Sequence, residues 1–304
     1  LLLLFVAALA AVPCTAQEPA PAPSVAARPT SAEVRPLPNI PELMREVESR
    51  QRAAEQAAKD YIYHSVQTAQ EVDGHGAVKK TEVNEYDVFW IGGVPVRKLV
   101  KKDGKELTAD ETKKESDRID KEAAKAKEKR EKEEAKGKET DPRGNDEVTV
   151  SRLLELGSFT NPRRVQMNGR DTIAVDYTGD PKAKTNNRAE SVIRDMAGTV
   201  WVDEQDKSIA RIEGRFVRSF KIGGGLVANI REGTSFMLQL SKVNGEVWLP
   251  ARVEAHGEGR FLLLYKFDGS LTEVDSDYRK FKTTATIVSV GTPVAEPPPD
   301  APKQ

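Results

Sequence analysis

The 304-residue chain has a single cysteine, Cys14, and only three histidines, His64, His75 and His256. Each histidine falls in a different segment, with no His-x-His, His-x-x-x-His or Cys cluster beside it, so no metal site is expected. No Gly-x-Ser-x-Gly elbow is present. The glycines at 223–225 are not followed by Gly-Lys-Ser/Thr and read as a hairpin loop, not a phosphate loop. An excess of charge of one sign is also missing: 47 basic residues stand against 48 acidic ones. Nothing in that balance recommends a nucleic-acid partner. Carboxylates are plentiful, but no apolar setting marks a pair of them for acid–base work. The expectation is a non-enzymatic protein with no catalytic residue and no cofactor.

Long apolar runs are nearly absent too. Residues 1–12 are continuously apolar, too short for a membrane span of about 20 residues, and are followed by Pro13, Cys14, Thr15 and Ala16. This predicts a signal peptide over 1–16 that leaves Gln17 as the mature N-terminus. The alternative is that Cys14 is the acylated cysteine of a lipoprotein, although Pro13 fits that poorly. In the first case the mature protein has no cysteine and relies on core burial alone. The expected location is the periplasm or the exterior, with membrane anchoring if Cys14 is lipidated.

What is present is mostly β. Residues 17–38 are rich in Pro and Ala and predict a disordered tether. A helix follows from Asn39, Pro41 and Glu42, with an apolar stripe through Ile40, Leu43, Met44 and Val47 to Ala58. Strands are expected over 61–72, 77–90 and 94–100, with Asp73-Gly74 and Asp103-Gly104 supplying positive-φ turn pairs. Residues 108–138 turn to Lys, Glu and Ala behind a Thr108/Glu111 capping box and predict a charged helical insertion that projects from the fold. Its i,i+4 pairs are Asp110–Lys114, Asp117–Lys121 and Glu128–Lys132. The stretch 148–159 fits both helix and strand periods. Strands over 163–167 and 172–177 flank Asn168-Gly169, a hairpin signal, and a short helix over 188–196 is expected next.

From 198 to 281 the chain reads as long alternating strands, at 208–220, 235–243, 246–256 and 260–267. One phrase occurs twice, Gly-Thr-Val-Trp-Val-Asp at 198–203 and Gly-Glu-Val-Trp-Leu-Pro at 245–250. Trp201 and Trp248 are thereby read as anchors of equivalent hairpins or as aromatics at the rim of a ligand mouth. One face of these strands is apolar, and a single amphipathic helix is narrow cover for it, so the remainder is expected to form an apolar cavity or groove. The candidate lining is Phe216, Phe220, Phe236, Leu238, Leu240, Phe261, Leu263 and Tyr265; each also fits an ordinary core role.

The order of apolar start, tether, amphipathic helix and meander, with Val-Trp-Val-Asp, Ile-Ala-Arg-Ile-Glu, Val-Trp-Leu-Pro and Tyr-Arg-Lys-Phe marking the strands, resembles the LolA/LolB-like superfamily of lipoprotein carriers. The resemblance implies an α+β fold, mostly antiparallel β: a strongly curved, unclosed half-barrel wrapped over the N-terminal helix, with the protruding charged helix added. It covers a single domain at 39–290, followed by a disordered Pro-rich tail at 291–304. It also implies a carrier whose partner is a lipid or the acyl chain of a lipoprotein. Fold alone does not establish that role. The other reading is a structural or regulatory envelope protein with a filled core that meets a protein partner through the charged helix.

Overall fold

The computed structural model describes residues 35–137, 140–222, 228–261 and 265–281. The predicted signal peptide, nearly all of the tether, the tail and Leu263 lie outside these residues. Helix α1 (Ile40–Ala58) begins where expected, because the Asn39 side chain accepts from the Glu42 amide at 3.1 Å and Pro41 sits in the first turn. Ile40, Leu43, Met44 and Val47 are its buried stripe. Each such side chain stabilises by about 1.5–3 kcal/mol on burial.

The strands form one antiparallel sheet of 13 strands, curved and unclosed. Its first edge holds β1 (Tyr61–Val72), β2 (Val78–Ile91), β3 (Val94–Lys102) and the short β4 (Lys105–Glu106). At the other end lie β5 (Gly157–Met167), β6 (Arg170–Gly179), β7 (Met196–Asp203) and β8 (Ser208–Phe216). Between them run β11 (Ser235–Val243), β12 (Val247–Phe261) and β13 (Tyr265–Lys280), with the small hairpin β9 (Phe220–Ile222) and β10 (Ala228–Ile230) branching from β12. The spatial order is β4-β3-β2-β1-β13-β12-β11-β8-β7-β6-β5, so the last strand closes onto the first hairpin. Bulges in several pairs, at Ala251 and opposite Tyr63 among other places, add local twist.

Turn chemistry explains most of the hairpins. Gly92-Gly93, Asp103-Gly104, Asn168-Gly169 and Asn244-Gly245 all place two consecutive residues at positive φ, the geometry that matches strand twist. Asp73-Gly74 does not behave as expected. There the loop is longer, the Asp73 carboxylate accepts from the amides of His75 at 2.8 Å and Ala77 at 3.0 Å, and Gly76 carries the positive φ.

Three further expectations are revised. The ambiguous stretch 148–159 is both structures in succession: α3 (Val150–Leu156), capped by Thr149, and then β5 from Gly157. The strand expected at 246–256 continues to Phe261, and the expected strand at 260–267 is divided between the end of β12 and the start of β13. Gly257 and Gly259 look like a turn, yet they lie in register opposite Gly269 and Phe267 inside β12. A Cβ at Gly257 would come within 2.4 Å of the Thr234 hydroxyl, so glycine serves close packing here and not chain reversal.

The third revision concerns the charged helix α2 (Ala109–Glu134), which does not project. It lies along the edge strand β3, burying Ile119 and Ala123 against Val96, Phe89 and Ile91. Glu115 accepts from the Leu99 amide at 2.7 Å, Arg118 donates to the Arg97 carbonyl at 2.6 Å, and Arg130 to the Gly93 carbonyl at 3.2 Å. Arg143, just beyond the helix, donates to the Pro95 carbonyl at 2.8 Å. Helix charges thus satisfy the row of backbone groups that an edge strand leaves open. Its i,i+4 ion pairs are Arg118–Glu122, Lys127–Glu131 and Arg130–Glu134, not the three expected from the sequence.

Candidate functional site

The sheet has two faces with different roles. Helix α1 packs on Ile173 and Val175 of β6 and on Val200 and Val202 of β7. Cross-strand register carries this helix face onward, from Val200 to Ile212, Leu238 and Val253. The other side of β7, β8, β11, β12 and β13 is the open face.

Five of the predicted lining residues lie on or beside the helix face, in two separate clusters. Phe216 and Phe220, each 8% exposed, pack with Met196, Val192, Ile230 and Phe236. Their rings stand 6.3 Å apart. Leu238 at 5% and Leu240 at 7% exposed pack with Val253, Ile209 and Trp248. Phe236 fits because its cross-strand neighbour is Gly214, where a Cβ would meet the ring at 2.5 Å. Phe261 and Tyr265 are backbone register partners at the end of β12 and the start of β13.

A hollow is found on the open face. It is a groove of about 460 Å³ crossing five strands, from Ala197 and Thr199 on β7 to Ser270 and Thr272 on β13. By strand spacing that span is about 19 Å. Of the predicted residues only Phe236 borders it. Met237, buried on the floor, is opposed by Glu213 on one side and Glu254 on the other. Arg211, Glu213, Arg215, Ser235, Glu254 and His256 stand on the polar side of the alternation in their own strands. Their grouping depends on register between strands, and alternation within one strand does not show it.

Both acids in the groove are already partnered. Arg211 donates to Glu213 at 2.7 Å and Arg252 to Glu254 at 2.6 Å, each pair two residues apart on one strand. Arg211 also lies 5.6 Å from the Trp201 ring centroid. Trp248, by contrast, is on the helix face, where its indole N–H donates to Asp206 at 2.9 Å. The duplicated phrase therefore places its two tryptophans on opposite faces. Arg170, Lys242 and the Trp248 indole converge on Asp206, and together they hold its carboxyl below the usual range against the opposing effect of burial.

A second polar group lies on β1, β3 and β13. Arg97 donates to Glu273 at 2.7 Å, stacks 4.6 Å from the Tyr86 ring and reaches Ser65 at 3.4 Å. Two residues along, Asp275 is 6% exposed and neither carboxylate oxygen is in hydrogen-bonding geometry with a donor. Burial first, and the Glu273 charge second, push its carboxyl up to about 7, although Ser65 opposite it in the ladder and Arg97 temper the shift. Burial likewise raises the phenols of Tyr63 and Tyr278, whose rings are 5.4 Å apart. On the other side of β1, His64 sits 3.2 Å from both Asp87 and Glu85. No group of three or more potential ligands among the described residues is disposed to hold a metal ion.

No family model and no curated protein matches the chain. Among solved structures it is similar to a putative outer membrane lipoprotein-sorting protein domain from Vibrio parahaemolyticus, at 11% identity and a TM-score of 0.35 over 81% of this chain and 95% of that one. A DUF1329 family protein from Desulfovibrio piger matches at 8% identity and a TM-score of 0.30, covering 80% and 95%. A LolA superfamily protein from Nitrosomonas europaea matches at 10% identity and a TM-score of 0.25, covering 79% and 94%.

Proposed function

We propose that the chain is a non-catalytic binding protein of the bacterial envelope that holds an amphipathic ligand, either a lipid or the acyl chain of a lipoprotein. The observation that supports this reading is the open-face groove. Its volume of about 460 Å³ falls in the usual range for a ligand site, about 300–1,000 Å³. Its length across five strands suits an extended chain better than a compact metabolite. The floor around Met237 would take the apolar part, with the Phe216/Phe220 and Leu238/Leu240 clusters behind it. On this reading those clusters are packing first. They become ligand contacts only if a chain enters from the Phe261/Tyr265 end, with Leu263 beside them in sequence. No helix among the described residues is long and apolar enough to cross a membrane.

Native mass spectrometry of protein purified from a bacterial envelope tests this directly, together with displacement of the neutral apolar probe N-phenyl-1-naphthylamine. Co-purified lipid and displacement by lipid are expected. Failure of both sinks the carrier reading. The filled clusters of the helix face then favour the structural or regulatory reading, with a protein partner meeting the outer side of α2.

A further inference from the structure

Four side chains cross the groove in one transverse row. Register pairs Arg215 of β8 with Ser235 of β11, Ser235 with His256 of β12, and His256 with Ser270 of β13. Directly opposed residues point to the same face, so the four converge on the groove that all of them line. Arg215, Ser235 and His256 can each donate a hydrogen bond into it, while the Ser270 hydroxyl at the end of the row already donates to Gln70 at 3.4 Å. Arg215 and His256 are exposed and have no ion-pair or hydrogen-bond partner among the described residues. The neighbouring row does not neutralise them, because its acids Glu213 and Glu254 are held by Arg211 and Arg252.

We infer that the Arg215–Ser235–His256–Ser270 row is a seat for a phosphate oxyanion, the headgroup of the amphiphile whose chain the groove holds; this rests on the binding function proposed above. Arg215 and His256 are two strands apart, about 10 Å by strand spacing, with the Ser235 hydroxyl between them. The long guanidinium can therefore meet a phosphate seated over Ser235 while the imidazole meets it from the other side. Fork geometry makes arginine suited to oxyanions, and such charge-assisted bonds are about twice as strong as neutral ones. Beyond the row, Glu258 is paired with Arg231 at 2.6 Å. Asp268 lies one row further along β13, three strands from Arg215 and about 15 Å away by strand spacing. Arg215 is thus beyond the screening length at physiological salt, about 8 Å, while His256, one strand and one row from Asp268, is not.

The test compares dodecyl phosphate, dodecyl maltoside and inorganic phosphate by calorimetry on the purified chain, below micelle-forming concentrations and at low salt. Dodecyl phosphate is expected to bind about ten-fold tighter than the maltoside. Arg215→Gln should abolish that preference by weakening dodecyl phosphate binding more than maltoside binding; Arg215→Lys should keep part of it, and His256→Gln should weaken it several-fold. A thermal melt confirms that these exposed-site variants fold. Equal affinity for the two amphiphiles, or a preference that Arg215→Gln leaves intact, overturns the seat while the groove reading stands. If inorganic phosphate binds as tightly as dodecyl phosphate and Arg215→Gln removes both, the seat is real but belongs to a free ion, and the headgroup assignment fails. Binding of none of the three ligands overturns both the seat and the groove reading.

Discussion

Replacing Asp275 with asparagine should make the protein more stable at pH 8, although it removes a charge from a polar cluster. The carboxyl is raised from 3.8 to about 7 by burial and by Glu273. The folded chain therefore binds that proton more tightly than the unfolded one. Stability from this group is fully present below about pH 4 and is lost as pH rises to about 7; above that the buried ionised carboxylate is a constant cost. A shift of about three pH units corresponds to ~4 kcal/mol as an upper bound, less whatever water relaxes around the site. Asparagine removes the charge but brings an amide that Ser65 can satisfy only in part, a penalty of about 1–3 kcal/mol. The net expectation at pH 8 is a gain of about 1–3 kcal/mol, or a urea midpoint about 1 M higher. At pH 4 the advantage should vanish or reverse. Urea titrations of both proteins at pH 4, 6 and 8 isolate this residue from other titrating groups by difference. A variant less stable than wild type at pH 8, with the same pH slope, would show that Asp275 finds a donor in solution and refute the reasoning.

Other outcomes follow from the packing. Glu115→Ala leaves the Leu99 amide without its acceptor and should expose the β3 edge, so self-association measured by analytical ultracentrifugation should rise. Gly214→Ala drives a methyl into the Phe236 ring and should cost about 1–3 kcal/mol in denaturant titration. Asp203→Ala removes the two-point acceptor of Arg170, which donates to both Asp203 oxygens at 2.6 and 2.8 Å, and leaves it Asp206 alone; a loss of about 1–3 kcal/mol is expected, read as a lower Tm. Phe236→Asp should impair amphiphile binding as well as stability. A melt run beside the probe-displacement assay shows whether binding falls further than the unfolded fraction explains.

Local signals in the sequence carried the local structure. Asn39 with Glu42, Thr108 with Glu111, and the Asn-Gly pairs are chemistry confined to a few residues, and each forms as expected. Long-range placement was another matter. Alternation showed that Arg215, Ser235 and His256 share the polar side of their own strands, but only the pairing of β8 with β11 and β11 with β12 makes them one row. The same gap hid the seating of α2, since a thin apolar stripe of Ile119 and Ala123 gives no hint that the helix charges bind a strand's backbone. Gly257 misled for a related reason: its value lies in the Thr234 side chain that packs over it.

The three tryptophans turn the sheet into its own optical instrument. Trp201 is stacked by Arg211, a residue of the groove wall, so an occupant that draws the guanidinium away should alter its emission. Trp248 is tied to Asp206 on the opposite side and should stay quiet until that layer loosens, while Trp90 lies 5.9 Å from Lys59 at the foot of α1. Single-tryptophan variants would then separate loading of the groove from unfolding of the layer behind it in one titration, without an added dye.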